Sequence, residues 1–237
     1  MYAKSEAFYD AIYGSMKNYE REAQQLQALI QQYKHSPGNT LLDVACGTGL
    51  HLSFLRQHYT VEGLDLDEQM LTIARQRNPG ISLHLGDMAD FELGRQFDVI
   101  TCLFSAIGFV KTLPRLQQTV QTMRQHLHPG GLVLIEPWLT PEQYQVGHLA
   151  ATFVDQPHLK IARMNISEVE DGLAIMNMHY LVATPTGIEY FTEVFELGLF
   201  SHEEYLDAFR TTGLDVTHDP DPAKLTGRGL YIGVARR

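Results

Sequence analysis

Residues 41–49 read Leu-Leu-Asp-Val-Ala-Cys-Gly-Thr-Gly. An apolar run enters a glycine turn, and helix-forming residues follow. Glycines let the main chain pass close to a ligand, and a helix N-terminus draws a negative group. The dinucleotide fingerprint needs a third glycine three residues after the second. Here that position is Leu52. Asp43 stands just before the turn, where it would repel a pyrophosphate and suit a cation. Ala45, Cys46, Gly47 and Gly49 would meet such a ligand along the turn. Two further acids close the next apolar runs: Asp65 in Val-Glu-Gly-Leu-Asp, and Asp87 in Gly-Asp-Met. An acid at the tip of a second strand accepts ribose hydroxyls. An acid after the third accepts an adenine amino proton, while the amide of Met88 donates to the ring. Each acid alone reads equally as a loop residue or a helix cap.

Taken together, the three describe a site for adenosine joined to a cationic amino acid, which is S-adenosylmethionine (SAM). Leu66, Met70, Leu103 and Phe104 are apolar neighbours suited to cover the adenosine. For Met70 and Phe104 core packing is the competing reading. The acids share one edge only if their runs are parallel strands. Strands are predicted over 40–45, 60–64, 81–85, 97–102 and 131–136, alternating with helices over 49–58, 67–77 and 113–127. That alternation indicates right-handed βαβ units and a Rossmann-like α/β sheet. Residues 1–35 read as helical, with Tyr2, Phe8, Tyr9, Ile12, Tyr13 and Tyr19 first, then Leu26, Leu29, Ile30 and Tyr33 at helical spacing. After Pro141 the pattern becomes long strands over 151–155, 160–169, 173–183 and 188–199, with Asp171-Gly172 and Pro185-Thr186-Gly187 as turns. Short turns make such strands antiparallel. Ser201–Thr212 reads as a helix, and 214–217 and 228–235 as closing strands. The predicted division is a helical cap (1–39), a SAM-binding core (40–140), an antiparallel insertion (141–200) and a return to the core (201–237).

Composition narrows the partners. The 237 residues are 44% hydrophobic, enough for a full core. Lys and Arg number 18 against 28 acids, a net charge of −10. This balance opposes a sequence-independent grip on nucleic acid or on an anionic membrane. A small anionic substrate needs only one or two well-placed arginines. The fourth strand runs into Leu103-Phe104-Ser105-Ala106, with no Asn-Pro-Pro-Tyr-like pocket for a flipped base. Two cysteines make no disulfide framework, so a reducing cytoplasm is expected. The N-terminal stretch lacks an apolar leader core, and Val99–Val110 is too short for a membrane span. The 11 histidines show no metal-ligand spacing, and no metal is expected.

Asp43, Ala45, Gly47, Gly49, Asp65, Asp87-Met88 and Pro129-Gly130-Gly131 resemble the motifs of class I SAM-dependent methyltransferases. The resemblance implies a seven-stranded sheet whose last strand is antiparallel, with SAM over its C-terminal edge. A closer resemblance runs nearly end to end. The stretches MYAKSEAFYDAIYG, LLDVACGTGLHL, LHLGDMADFELGRQFD, FSAIGFVKT, HLHPGGLVLIEPW and GRGLYIGV are similar to the N,N-dimethyltransferases of nucleotide-linked 3-amino-deoxysugars in macrolide biosynthesis. That family implies a tyrosine helix closing over SAM, here Tyr13 and Tyr19. It also implies an insertion that forms the substrate site and a dimer interface, and a phosphate contact from Arg228. Residues 138–165 match only loosely, and family identity is not assumed at Phe109 and Leu139.

Methyl transfer from a sulfonium is an in-line displacement on an already activated carbon, so alignment and exclusion of water come first. The acceptor amine must be neutral; a nearby base helps but is dispensable. Candidate bases are Tyr13, Glu136 at the ligand edge of a parallel strand, and His179, which shares a strand face with Ile175, Asn177 and Leu181. Their bland readings are packing, a loop cap and an exposed sheet histidine. Arg163 and Arg228 are the candidate anion contacts; Trp138 would stack on a thymine or sugar ring, with core packing as its alternative. His179 would also face the substrate. Catalysis by proximity, with no indispensable base, is the expectation. Competing readings are an N- or O-methyltransferase of another small metabolite, a non-catalytic SAM-binding protein and an NAD-dependent oxidoreductase; Leu52 and Asp43 weigh against the last.

Overall fold

The structure is a computed structural model; it describes residues 4–14, 16–221 and 225–236, so Tyr2 lies outside the described residues. The N-terminal segment is not one helix. A 3-10 turn (Ser5–Phe8) leads into α1 (Tyr9–Tyr13), and α2 spans Tyr19–Tyr33. Asn18 restarts the helix: its side chain accepts from the Arg21 amide at 2.9 Å, a capping bond that needs non-helical backbone at residue 18.

The core then alternates as β1 (Thr40–Val44), α3 (Leu50–Leu55), β2 (Thr60–Asp65), α4 (Glu68–Arg77), β3 (Ser82–Leu85), β4 (Phe97–Cys102), α5 (Leu113–Gln125) and β5 (Leu127–Ile135). Four long strands follow: β6 (Leu149–Gln156), β7 (Leu159–Glu170), β8 (Leu173–Thr184) and β9 (Gly187–Gly198). The chain closes with α6 (His202–Thr211), β10 (Leu214–Asp219) and β11 (Leu230–Ala235). The main sheet runs β10-β11-β5-β4-β1-β2-β3. β1 to β5 are mutually parallel, and β11 is antiparallel to both β5 and β10.

Both faces of that sheet are covered, which is why β1 and β4 are buried along almost their whole length and mostly apolar. Leu26, Leu29 and Ile30 of α2 pack with Leu52, Leu55, Leu41 and Val99 on one face. Val120 and Met123 of α5 and Phe209 of α6 pack with Ile100, Val133 and Tyr231 on the other. Asp98 fixes the entry to β1: its carboxylate accepts from the amides of Gly38 (3.1 Å) and Thr40 (3.0 Å) and from the Thr40 hydroxyl (2.7 Å).

The inserted strands form a separate antiparallel sheet in the order β6-β7-β8-β9. Its inner face carries Tyr180, Val182, Phe191, Phe195 and Leu197, which pack with Ile12 of α1 and with Tyr144. The cap therefore bridges the two sheets. Ser5 donates its amide (3.0 Å) and hydroxyl to Glu193 of β9. At the other end of the cap, Asp10 accepts from the Thr48 hydroxyl of the glycine turn at 2.8 Å and pairs with Arg77 of α4. Among the described residues, no helix is long and apolar enough to cross a membrane.

Candidate functional site

Parallel strands bring their C-terminal ends to one edge, and the turn after β1 shapes that edge. Ala45, Gly47 and Gly49 all have positive φ (57°, 55° and 72°). For Ala45 this left-handed conformation costs about 1–2 kcal/mol, and the residue faces the cavity. A Cβ added at Gly47 would meet nothing within 4 Å, so the main chain there borders open space. Gly49 serves a different purpose: a Cβ would stand 2.6 Å from the Asn78 side chain, so it lets α4 approach.

At the tip of β2, Asp65 accepts from the Gly47 amide (2.7 Å) and the Asp67 amide (2.9 Å). A carboxylate has about four lone-pair sites, so two remain for hydroxyl donors, as a ribose needs. Burial pushes the Asp65 carboxyl up to about 6, against the two amides that lower it. After β3, Asp87 accepts from the Ala89 amide (2.9 Å) and from Arg115 of α5 (2.6 Å). Asp43 lies beneath the turn, 2% exposed, and accepts from the Thr101 hydroxyl at 2.7 Å. Burial raises its carboxyl; His51 and Lys17 nearby lower it.

These ends open into a cavity of about 450 Å³, bounded by the main sheet, the cap and the inserted sheet. Ligand pockets commonly measure about 300–1,000 Å³. Of the residues singled out in the sequence, Tyr13, Ala45, Gly47, Asp65, Leu66, Met70, Asp87, Met88, Leu103, Phe104, Trp138, Arg163 and Arg228 line it. Tyr13 stands edge-on to Phe104 at 5.0 Å, and its hydroxyl accepts from Arg163 at 2.8 Å. Arg163 is not a solvated strand residue: it is 8% exposed and reaches Thr152 as well, at 3.1 Å. Arg228 stacks on Trp138, its guanidinium 4.6 Å from the ring, and donates to the Ser105 hydroxyl at 3.0 Å.

Six expected contacts do not line the cavity: His179, Glu136, Tyr19, Asp43, Cys46 and Gly49. His179 is exposed on the outer face of β8, where its ring bonds to the Tyr190 hydroxyl at 2.7 Å. The strand alternates, so Met176 and Met178 take the cavity side and His179, in step with Asn177 and Leu181, turns away. Glu136 is 1% exposed, and both oxygens are engaged by the Phe104 amide (2.5 Å) and by the amide (2.9 Å) and hydroxyl of Thr226. It holds Phe104 in place and is not on the cavity wall. Tyr19 packs its ring on His51 at 4.8 Å and is also absent from the wall. Cys46 and Gly49 support the turn from behind.

The sequence reading missed Tyr9, Arg115, Asn165, Ser167 and Met178, all on the wall. It also missed Lys17, whose side chain is 4% exposed beneath Phe104.

A doubly wound sheet with acids at three successive strand ends, under a tyrosine lid, defines a SAM-dependent methyltransferase. Residues 41–131 match the model of a methyltransferase domain. The chain is 43% identical over 230 residues to the dTDP-3-amino-3,6-dideoxy-alpha-D-glucopyranose N,N-dimethyltransferase of Streptomyces fradiae, covering 95% of this chain and 89% of that one. Among solved structures it superposes on DesVI of Streptomyces venezuelae with a TM-score of 0.92 (38% identity, 99% of this chain and 100% of that). It also superposes on SAM-bound CalS10, an amino pentose methyltransferase from Micromonospora echinaspora, with a TM-score of 0.86 (35% identity, 99% and 97%). The chain belongs to the sugar N,N-dimethyltransferase family.

Proposed function

We propose that this methyltransferase acts on the amino nitrogen of a nucleotide-linked amino-deoxysugar. The observation that carries the reading is the shape of the cavity. One wall is the SAM edge of the main sheet; the facing wall is the inserted sheet, with Arg163, Asn165 and Ser167 spaced along β7. Arg228 on Trp138 supplies a cation backed by an aromatic face, suited to a diphosphate beside a base. The likeness to enzymes of dTDP-linked amino sugars supports the same assignment. In this scheme residues 40–140 bind SAM, and the insertion, 141–200, receives the acceptor. We assign cofactor contacts to Tyr13, Ala45, Gly47, Asp65, Leu66, Met70, Asp87, Met88, Leu103 and Phe104, and acceptor contacts to Trp138, Arg163 and Arg228.

SAM supplies an electrophilic methyl on a sulfonium. The chain's own part is to orient the acceptor, exclude water and leave the amine's lone pair free. Two of the candidate bases are otherwise engaged: the Tyr13 hydroxyl accepts from Arg163, and Glu136, off the wall, is consumed by structural bonds. Proximity therefore carries the reaction.

The test is incubation with SAM and a panel of dTDP-3-amino sugars, free amino sugars and phenols, with products weighed and mapped by NMR. One or two methyl groups on the nitrogen of the nucleotide-linked sugars alone is the expected result. Methylation of oxygen, or of the free sugars equally well, removes the assignment. His179→Ala retains full turnover. Tyr13→Phe loses less than the roughly hundredfold that marks an essential general base.

A homodimer in a cytoplasmic setting completes the reading. The outer face of the inserted sheet exposes Leu149, Phe153, Met164, Ile166, Leu181 and Ile188. A contiguous apolar face of this kind marks a protein contact, and we assign it to a second copy.

A further inference from the structure

Two wall residues are held by a carboxylate that is not itself on the wall. Phe104 and Ser105 follow β4 with φ of 54° and 60°. Left-handed backbone is unfavourable for residues with side chains, so this turn needs an outside hold. Glu136, just after β5, supplies it: one oxygen accepts from the Phe104 amide at 2.5 Å. The Ser105 hydroxyl donates to the carbonyl of the next residue, Pro137, at 2.6 Å. The other Glu136 oxygen reaches a segment 90 positions further on, where it accepts from the Thr226 amide (2.9 Å) and hydroxyl. The carboxylate is fully buried, so these three donors take the place of water.

Thr226 opens the turn that carries Arg228 into the cavity. Gly227 and Gly229, on either side of the arginine, have φ of 82° and 83°. Flanking glycines give the segment wide freedom, so its anchor decides where the guanidinium goes. Arg228 comes to rest over Trp138 and donates to the Ser105 hydroxyl at 3.0 Å, the same hydroxyl that is tied to Pro137. Burial works against the arginine's charge, and Glu136 supports it. The two turns therefore close a ring through one carboxylate: Phe104 to Glu136, Glu136 to Thr226, and Arg228 back to Ser105. We propose that Glu136 is a positioning residue that couples the two halves of the cavity. One oxygen sets the wall assigned to SAM, and the other sets the arginine assigned to the nucleotide. A ligand that fixes either turn lowers the ordering cost of the other, so the acceptor binds a SAM-loaded site more tightly than an empty one.

The inference rests on the assignments of SAM to Phe104 and of a nucleotide to Arg228, and its test separates them. The intact protein is titrated calorimetrically with S-adenosylhomocysteine and with dTDP, each alone and with the other saturating. In the wild type each ligand tightens the other by the same factor, about threefold or more. Glu136→Gln has one carbonyl oxygen that accepts and an amide that must donate, so it serves one turn only. Both ligands weaken about tenfold, and the coupling disappears. Thr226→Val keeps the Phe104 bond and loses the hydroxyl: dTDP weakens about three- to tenfold, S-adenosylhomocysteine alone by less than about twofold, and the coupling falls. Thr226→Ser, which keeps the hydroxyl, restores both quantities. Coupling absent from the wild type or unchanged in either variant, or equal weakening of the two ligands by Thr226→Val, overturns the role of Glu136 while both assignments stand. A wild type that binds S-adenosylhomocysteine but not dTDP overturns the nucleotide assignment; one that binds neither overturns both, and the inference falls with them. Circular dichroism of each variant separates lost binding from lost fold, and Thr226→Val carries the test alone if Glu136→Gln is unfolded.

Discussion

Asp65 shows how one residue couples fold, pH and cofactor. Burial lifts its carboxyl to about 6, well above the unfolded value near 3.9. Ionising it inside the fold opposes folding at neutral pH, so this group adds stability to the empty protein as pH falls through 6 toward about 4. Cofactor binding has the opposite sign under the proposed assignment, in which ribose hydroxyls donate to the ionised form. SAM affinity is therefore full above pH 6 and falls as pH drops through it, by up to about tenfold per unit. Calorimetric titrations from pH 5 to 8 measure this slope. Asp65→Asn binds more weakly at every pH and flattens it. That Asp65 and Asp87 stand at strand ends on the cavity wall was legible in the sequence because each closes an apolar run, a local signal; Asp43, inside its run, is buried behind the turn. The setting of Lys17 was not legible, since it depends on Phe104, which lies 87 residues away in the chain and enters the site only through the order of the sheet.

At the level of elements, the cap and the inserted sheet divide what is local from what is not. The βαβ core could be read from alternating patterns because its strands are buried on both faces. β7 could not be read correctly in the same way. It alternates Arg163, Met164, Asn165, Ile166 and Ser167, and polarity alone would turn its polar side to water. The structure does the reverse: Arg163, Asn165 and Ser167 line the cavity, while Met164 and Ile166 are 47% and 54% exposed. His179 was misplaced for the same reason, being polar on the face that turns away from the cavity. The cap depends on contacts of both kinds. Glu193→Ala removes the acceptor for the amides of Lys4 and Ser5 and for the Ser5 hydroxyl, and stranded buried donors cost about 1–3 kcal/mol each. Limited proteolysis cleaves the N-terminal segment of this variant several-fold faster, while the global unfolding midpoint moves little. Equal cleavage rates would mean that Asp10 and the Ile12 contacts alone secure the cap.

On the scale of the whole molecule, the inverted polarity of β7 links function to assembly. A wet chamber on one side of a thin sheet leaves apolar side chains on the other. In the proposed dimer each large apolar group fully buried there contributes about 1.5–3 kcal/mol. Phe153, 67% exposed on β6, belongs to that face and to neither core. If the proposed dimer forms through this face, Phe153→Asp gives a monomer by light scattering, with the cofactor affinity unchanged. A wild-type protein that is already monomeric at tens of micromolar removes the assembly. The net charge of −10 keeps the rest of the surface from associating indiscriminately.

The bond from Ser5 to Glu193 spans 188 positions of the chain. A ribosome must add 188 residues after Ser5 before that end of the lid has its partner. The cap is therefore made long before the strand that seats it. Until β9 emerges, the aromatic segment holding Tyr9 and Tyr13 waits without this anchor, and the chamber stays unsealed on that side.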